Sequence, residues 1–270
     1  MRKLTTLVAA LAGALTIGLM PASAVTDGVP DADNDFPHVG LMVAQTATGT
    51  PLWRCSGTLI SPTVFLTAGH CTEAPAGHVE IWFRNGYPTQ IGAADGYPFT
   101  GDVGGTPHTH PDYDPSAFFL RDVGVVVLDE PWDTGGVYGT LPGLDSLDVL
   151  KTRRGKQDTT FTAVGYGLQK SFPDAAAWKN SALRTRMIST PKLIQINVPG
   201  FVGDFSLLLS NNTHTGGTCF GDSGGPNFLG SSNVVAGITS FGLNSTCAGT
   251  GGVFRMDRSW SLDFVNSFLP

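Results

Sequence analysis

The sequence predicts an all-β protein that ends in a single α-helix, and three observations carry that expectation. Short runs of β-branched and aromatic residues, bounded by Gly, Pro, Asn and Asp, recur along the chain at the spacing of a sandwich or barrel. Gly (35) and Pro (18) are plentiful while charged residues make up only 14%, below the roughly 25% of an average soluble domain. Helical periodicity stands out only near the end, where Trp260, Phe264 and Phe268 repeat at four-residue steps.

In chain order, residues 1–24 stand apart from the fold. Arg2 and Lys3 open a charged start, 7–20 is an apolar run, and Ala22-Ser23-Ala24 is a small-residue cleavage site, the three parts of a secretory signal peptide. The apolar run falls short of the ~18 residues of a spanning helix. The mature chain is therefore expected to begin at Val25, to be secreted and extracellular, and to have no membrane association once the signal is removed. Roughly 246 residues remain, a length that allows one large domain or two packed halves.

Strands are expected at 38–44, 56–60, 64–67, 79–84, 123–128, 159–165 and 234–240, each a run that alternates or stays apolar between turn residues. The Gly- and Pro-rich stretch 131–143 reads as the connection between two halves, giving 25–140 and 141–270. Asp257 stands where it can cap the terminal helix. The net charge is −6 with no run of Lys or Arg, which excludes the electrostatic footprint of a nucleic-acid binder. Four cysteines in a secreted chain imply two disulfides, with three pairings open. Asn211 and Asn244 match the glycosylation acceptor pattern and read as polar loop residues. His108, His110 and Asp112 alternate like ligands on a strand, but no cysteine or further histidine stands nearby to complete a site, so no metal and no cofactor is expected.

The stretch that carries chemistry is Gly221-Asp222-Ser223-Gly224-Gly225-Pro226. Glycines on both sides leave the Ser223 hydroxyl uncovered and let another backbone come close. A serine hydroxyl is a poor nucleophile at neutral pH and needs a base within reach and donors for the oxyanion it creates. His70 follows an apolar strand, beside Cys71, which can staple it in place. Asp122 opens the apolar run 123–128, and a carboxylate at the mouth of a buried strand needs a partner such as an imidazole N–H.

Taken together, Thr67-Ala68-Gly69-His70-Cys71, His110-Pro111 with Asp122-Val123, Cys219 through Pro226, and Gly237-Ile238-Thr239-Ser240-Phe241-Gly242 resemble the trypsin/chymotrypsin family of serine endopeptidases, in the family's order and over nearly the whole mature chain. The resemblance implies two packed six-stranded antiparallel β-barrels with a C-terminal helix and the active site between them. It implies Ser223 as nucleophile, His70 as base, Asp122 as the carboxylate that orients it, and the N–H groups of Gly221 and Ser223 as the oxyanion hole. It pairs Cys55 with Cys71 and Cys219 with Cys247. It assigns substrate contact to Gly217, Thr218, Phe220, Ser240, Phe241, Gly242 and Gly252, with Gly217 at the base of the primary pocket. A Gly there in place of a carboxylate implies cleavage after large apolar or aromatic residues. It also implies that a newly freed Val25 ammonium pairs with Asp222, and that the protein acts as a monomer on protein or peptide substrates.

The chain departs from the family in the start Val25-Thr26-Asp27-Gly28, in Tyr166 where tryptophan is usual, and in 171–211, which is hard to align and lacks a disulfide. Two other classes compete. An esterase would share the Gly-x-Ser-x-Gly pattern, but it needs a histidine after the serine and a helix following it; no histidine follows Ser223 and Pro226 opposes a helix. A protease-like binding protein without activity would be expected to replace one of His70, Asp122 and Ser223, and all three are present.

Overall fold

In the computed structural model, which describes residues 25–151, 158–169, 182–198 and 203–270, the apolar runs pair into two antiparallel sheets. The leader expectation for 1–24 lies outside the described residues. After the short strand β1 (Val29–Pro30), six strands close a barrel: β2 (Val39–Gln45), β3 (Pro51–Ser61), β4 (Val64–Thr67), β5 (His78–Trp82), β6 (Val103–Thr109) and β7 (Gly124–Leu128), in the order β2-β3-β4-β7-β6-β5. A helical turn, α1 (Gly69–Thr72), follows β4. The second sheet holds β8 (Phe161–Gly165), β9 (Met187–Ser189), β10 (Leu193–Val198), β11 (Gly203–Asn211), β12 (Pro226–Leu229), β13 (Val235–Gly242) and β14 (Gly249–Arg255), and it takes β1 at its edge in the order β1-β9-β8-β12-β13-β14-β11-β10. The chain ends in α2 (Ser259–Asn266). The all-β expectation with one terminal helix is borne out.

All of β2 is buried, because one face fills the barrel and the other meets the second half. The main core cluster accordingly runs from Val39 and Phe65 of the barrel to Phe228, Ile238 and Phe254 of the second sheet. The 131–143 connection is stitched to both halves: Gly139 N donates to Leu59 O at 2.9 Å and Thr140 N to Asn233 O at 2.8 Å. Asp257 is not the helix cap. Its carboxylate is fully buried, accepting from Arg255 Nε at 2.9 Å and from Leu147 N at 2.9 Å, and the cap falls on Arg258. A buried guanidinium and a buried amide claim an acceptor more strongly than an N-terminal amide that water can reach. His110 packs on this helix, its ring 5.0 Å from that of Phe264, and His108 on the residues that follow it, 4.9 Å from the Phe268 ring. Asn211 is buried with its Nδ2 on Thr218 O at 2.8 Å, so the folded chain offers it to no glycosylating enzyme; Asn244 is exposed.

One core residue sets an acid limit. His38 is fully buried against Phe36 and Phe228, with neither ring nitrogen bonded to any described residue. Burial, and behind it the Arg186 charge, push its imidazole down to about 4 despite the Asp31 carboxylate. Below pH 6.5 the unfolded chain gains a proton that the folded chain refuses until about pH 4, so stability falls through that window. The loss approaches about 3 kcal/mol. Urea unfolding of wild type and His38→Leu from pH 7 to 4 is expected to show a fall smaller by that amount in the variant; parallel curves would contradict a buried neutral His38.

Candidate active site

The first half brings a base and a carboxylate together. β4 ends at Thr67 and runs into α1, which presents His70 toward the strand start at Asp122. Asp122 is fully buried and accepts three hydrogen-bonding groups. The His70 amide reaches Oδ1 at 2.9 Å, His70 Nδ1 lies 3.0 Å from Oδ2, and Ser240 Oγ donates to Oδ2 at 2.5 Å. An ionised carboxylate only accepts, so Nδ1 carries the ring proton and Nε2 is left as the basic nitrogen. Burial pushes the His70 imidazole down, but the Asp122 charge, its hydrogen bond and the charge of Glu73 outweigh it, and the net effect is a raised pKa.

The second half supplies the serine on a turn anchored at several points. Ser56 N donates to Ser223 O at 2.8 Å, Asp222 N to Cys219 O at 3.0 Å and Gly224 N to Thr239 O at 2.8 Å. A side chain at Gly224 would put its Cβ 2.0 Å from Thr67 Oγ1 and 2.6 Å from Ser56 O, so only glycine lets this turn dock on β3 and β4 of the barrel. Gly221 has φ +96 and its carbonyl accepts from Ser56 Oγ at 2.9 Å. The N–H groups of Gly221 and Ser223 have no acceptor among the described residues. Two backbone donors without a partner beside a serine can receive a developing negative charge.

Asp222 is turned inward. Gly167 N donates to its Oδ1 at 2.7 Å and Cys219 N to its Oδ2 at 2.9 Å. Burial pushes its carboxyl up to about 7 against those two bonds and the Arg54 charge. Tyr166, the departure from the family's tryptophan, is fully buried, its hydroxyl donating to Arg84 O at 2.8 Å. The disulfides join Cys55 to Cys71 and Cys219 to Cys247, stapling the His70 turn and the serine loop.

His70 and Ser223 line one cleft of about 530 Å³ together with Thr218, Phe220, Ser240, Phe241 and Gly242. No hydrogen bond joins the serine hydroxyl to the His70 ring in this structure; such bonds are often long until substrate draws the groups together. Gly217 and Gly252 sit behind the lining. Gly217 N donates to Thr26 O at 3.0 Å, and the Asn211 side chain occupies the space its Cβ would need. Gly252 lies under the Phe241 ring, and Gly251 is the register partner of Gly242. Glu73, Tyr113, Pro115 and Phe118 line the cleft and escaped the sequence reading. Two of them are aromatic residues in the stretch that leads to Asp122, which was the available signal. The role of Ser240 as a donor to Asp122 was also missed, because only the fold brings β13 to the start of β7.

The family model described as Trypsin matches residues 25–258. Brachyurin of Leptuca pugilator is 30% identical over 231 residues, covering 83% of this chain and 88% of that protein. Glandular kallikrein-10 of Rattus norvegicus is 30% identical over 208 residues, 73% of each. Among solved structures, HL collagenase superposes with a TM-score of 0.67 at 20% identity, over 90% of this chain and 97% of the other. Human heparin binding protein superposes with a TM-score of 0.62 at 19% identity, over 91% and 96%.

Proposed function

The chain belongs to the trypsin family of serine peptidases, and from that premise we propose that it is an active, secreted endopeptidase that cleaves after large apolar or aromatic residues. The observation that carries activity is the buried Asp122 holding His70 by ring and amide at 3.0 and 2.9 Å, opposite a serine flanked by two unpaired backbone donors. In the proposed reaction Ser223 Oγ attacks the scissile carbonyl as its proton passes to His70 Nε2. The carbonyl π pair moves to the oxygen, where Gly221 and Ser223 N–H stabilise it; losing one such donor costs about 3 to 4 kcal/mol. The C–N bond then breaks, His70 returns the proton to the leaving amine, and water releases the acyl group by the same steps in reverse order. Asp122 keeps the Nδ1–H tautomer and stabilises the imidazolium. In this reading the first half, 25–140, supplies His70 and Asp122 and the second, 141–270, supplies Ser223; secretion follows removal of 1–24, and among the described residues no helix is long and apolar enough to cross a membrane.

The apolar preference rests on the lining. Glu73 is the one carboxylate among the described residues that line the cleft, and its charge is felt by His70. Phe118 and Phe220 leave large apolar faces exposed at the rim. A cationic side chain entering beside Thr218 and the Cys219–Cys247 disulfide meets no fixed countercharge among the described residues, and burying it unpaired costs several kcal/mol. Cleavage of a mixed peptide library is expected to favour Phe, Tyr, Leu or Met before the broken bond over Arg or Lys by at least about a hundredfold. Dominant cleavage after Arg or Lys defeats the charge argument, and dominant cleavage after Ala or Val defeats the size argument. A protein that binds peptides but hydrolyses no casein would be a silent binding protein on this fold.

A further inference from the structure

We infer that Arg121 is a positioning residue for Asp122, holding the loop that presents the carboxylate against the second half of the molecule by a cation–π clamp. The inference rests on the endopeptidase reading above. Arg121 directly precedes Asp122 and has φ +57, a left-handed conformation that a side chain adopts at a cost. Val123 N donates to Arg121 O at 2.8 Å, which closes a three-residue turn with Asp122 at its apex. The direction of the Asp122 side chain therefore depends on a backbone conformation that Arg121 does not favour by itself.

What holds that conformation comes from the other half. The Arg121 guanidinium carbon lies 4.4 Å from the ring centroid of Trp260 on α2 and 4.9 Å from that of Phe205 on β11. Those two rings are 4.8 Å apart and tilted by 32°, so they form a single aromatic seat. Arg121 Nη1 is buried with no hydrogen-bond acceptor among the described residues. A buried guanidinium N–H without an acceptor is unfavourable, so this side chain is not retained for that bond; the ring faces are what it gains. Arginine suits the place because a planar, weakly hydrated cation stacks where an ammonium does not.

The clamp completes a set of restraints from both halves. His70 binds the Asp122 carboxylate through its amide and its ring, Ser240 binds it from β13, and Arg121 fixes the backbone behind it against α2 and β11. A misdirected carboxylate would leave His70 in place but free to turn, which lowers turnover more than substrate binding.

The test compares Arg121→Met, Trp260→Leu, Trp260→Phe and the double variant Arg121→Met/Trp260→Leu in the full mature protein. Rates are expressed per serine titrated with a phosphonylating reagent, and thermal unfolding is recorded alongside. Arg121→Met is expected to lower kcat about 10- to 50-fold with KM within about twofold, and to shift the acid limb of kcat/KM against pH downward as His70 loses a well-aimed carboxylate. Trp260→Leu should do the same and Trp260→Phe, which keeps a ring face, should stay near wild type. The double variant should be no slower than the worse single one, the mark of a shared interaction. An active wild type whose Arg121→Met variant keeps kcat and the acid limb, whatever its stability, overturns this inference alone, as does a double variant whose losses multiply. A wild type that hydrolyses no peptide overturns the endopeptidase reading and this inference with it. Should Arg121→Met fail to fold, Arg121→Lys, which keeps charge and stem but not the planar stack, makes the same comparison.

Discussion

Replacing Ser223 with Ala is expected to lower kcat by about a millionfold, and His70→Ala by a comparable factor. The two act as one unit: without the base the hydroxyl keeps its proton, and without the hydroxyl the base has nothing to activate. The double variant should therefore be little slower than either single one. A residual rate should survive in all three from the unpaired N–H groups of Gly221 and Ser223 and from substrate binding. Asp122→Asn is expected to cost about 10⁴, because an amide in that place can hold the imidazole in the wrong tautomer. A phosphonylating reagent should modify Ser223 of the wild type and fail to modify the His70→Ala protein. Modification of another residue, undiminished modification without His70, or losses that multiply in the double variant would sink the assignment. The test is severe because Asp122 already holds His70 at 3.0 Å and is itself fully buried. A structure so arranged for another purpose would show only the stability cost of breaking a buried pair.

The fold class was legible because it is written in local chemistry, and the residues proposed as a triad were legible because several motifs together carry the resemblance. His70 at a strand end beside a cysteine, Asp122 at the mouth of an apolar run and Ser223 among glycines are each ambiguous alone, and only their company points to a triad, whereas a strand needs no more than its own run of residues. The strands at 64–67 and 234–240 were legible for the same reason. β6 and β14 were not, since Val103-Gly-Gly-Thr-Pro and Gly249-Thr-Gly-Gly hold glycine and proline in place of a β-branched run; they are strands because β5 and β7, and β13 and β11, stand on either side to receive their hydrogen bonds. Asp257 was legible as a cap and not as the partner of Arg255 and Leu147, because nothing local tells an exposed carboxylate from one that tertiary structure buries.

Releasing Val25 as a free amino terminus is expected to raise kcat/KM about 10²- to 10³-fold over a form with one extra residue before it. The argument starts from Asp222, which is fully buried and pairs with no cationic side chain among the described residues. With Val25 joined to Ala24, burial raises its carboxyl to about 7. The folded chain then holds a proton that the unfolded chain has released, so the penalty grows as pH rises from 3.8 toward 7 and stays at about 4 kcal/mol above it. A free ammonium at Val25 would favour the ionised carboxylate and remove that penalty at neutral pH. The approach is already prepared: Val25 is fully buried, Thr26 O accepts from Gly217 N at 3.0 Å, and Thr26 Oγ1 donates to Asn211 at 2.6 Å, which sets the segment beside the serine loop. Asp222 is the residue between the two proposed oxyanion donors, so an unpaired charge there loosens the turn that aims them. Breaking a buried pair costs about 3 to 5 kcal/mol, which is the source of the expected factor. Asp222→Asn should lose a similar factor in the form that starts at Val25 and little more in the extended form. Activity of the Val25 form should fall above about pH 8 as the ammonium loses its proton, while the extended form shows no such limb. Sequencing the terminus of the secreted protein and assaying both forms across pH 6 to 10 decides the matter. An extended form with full activity, or an active protein that starts at another residue, would show that Asp222 is balanced in some other way.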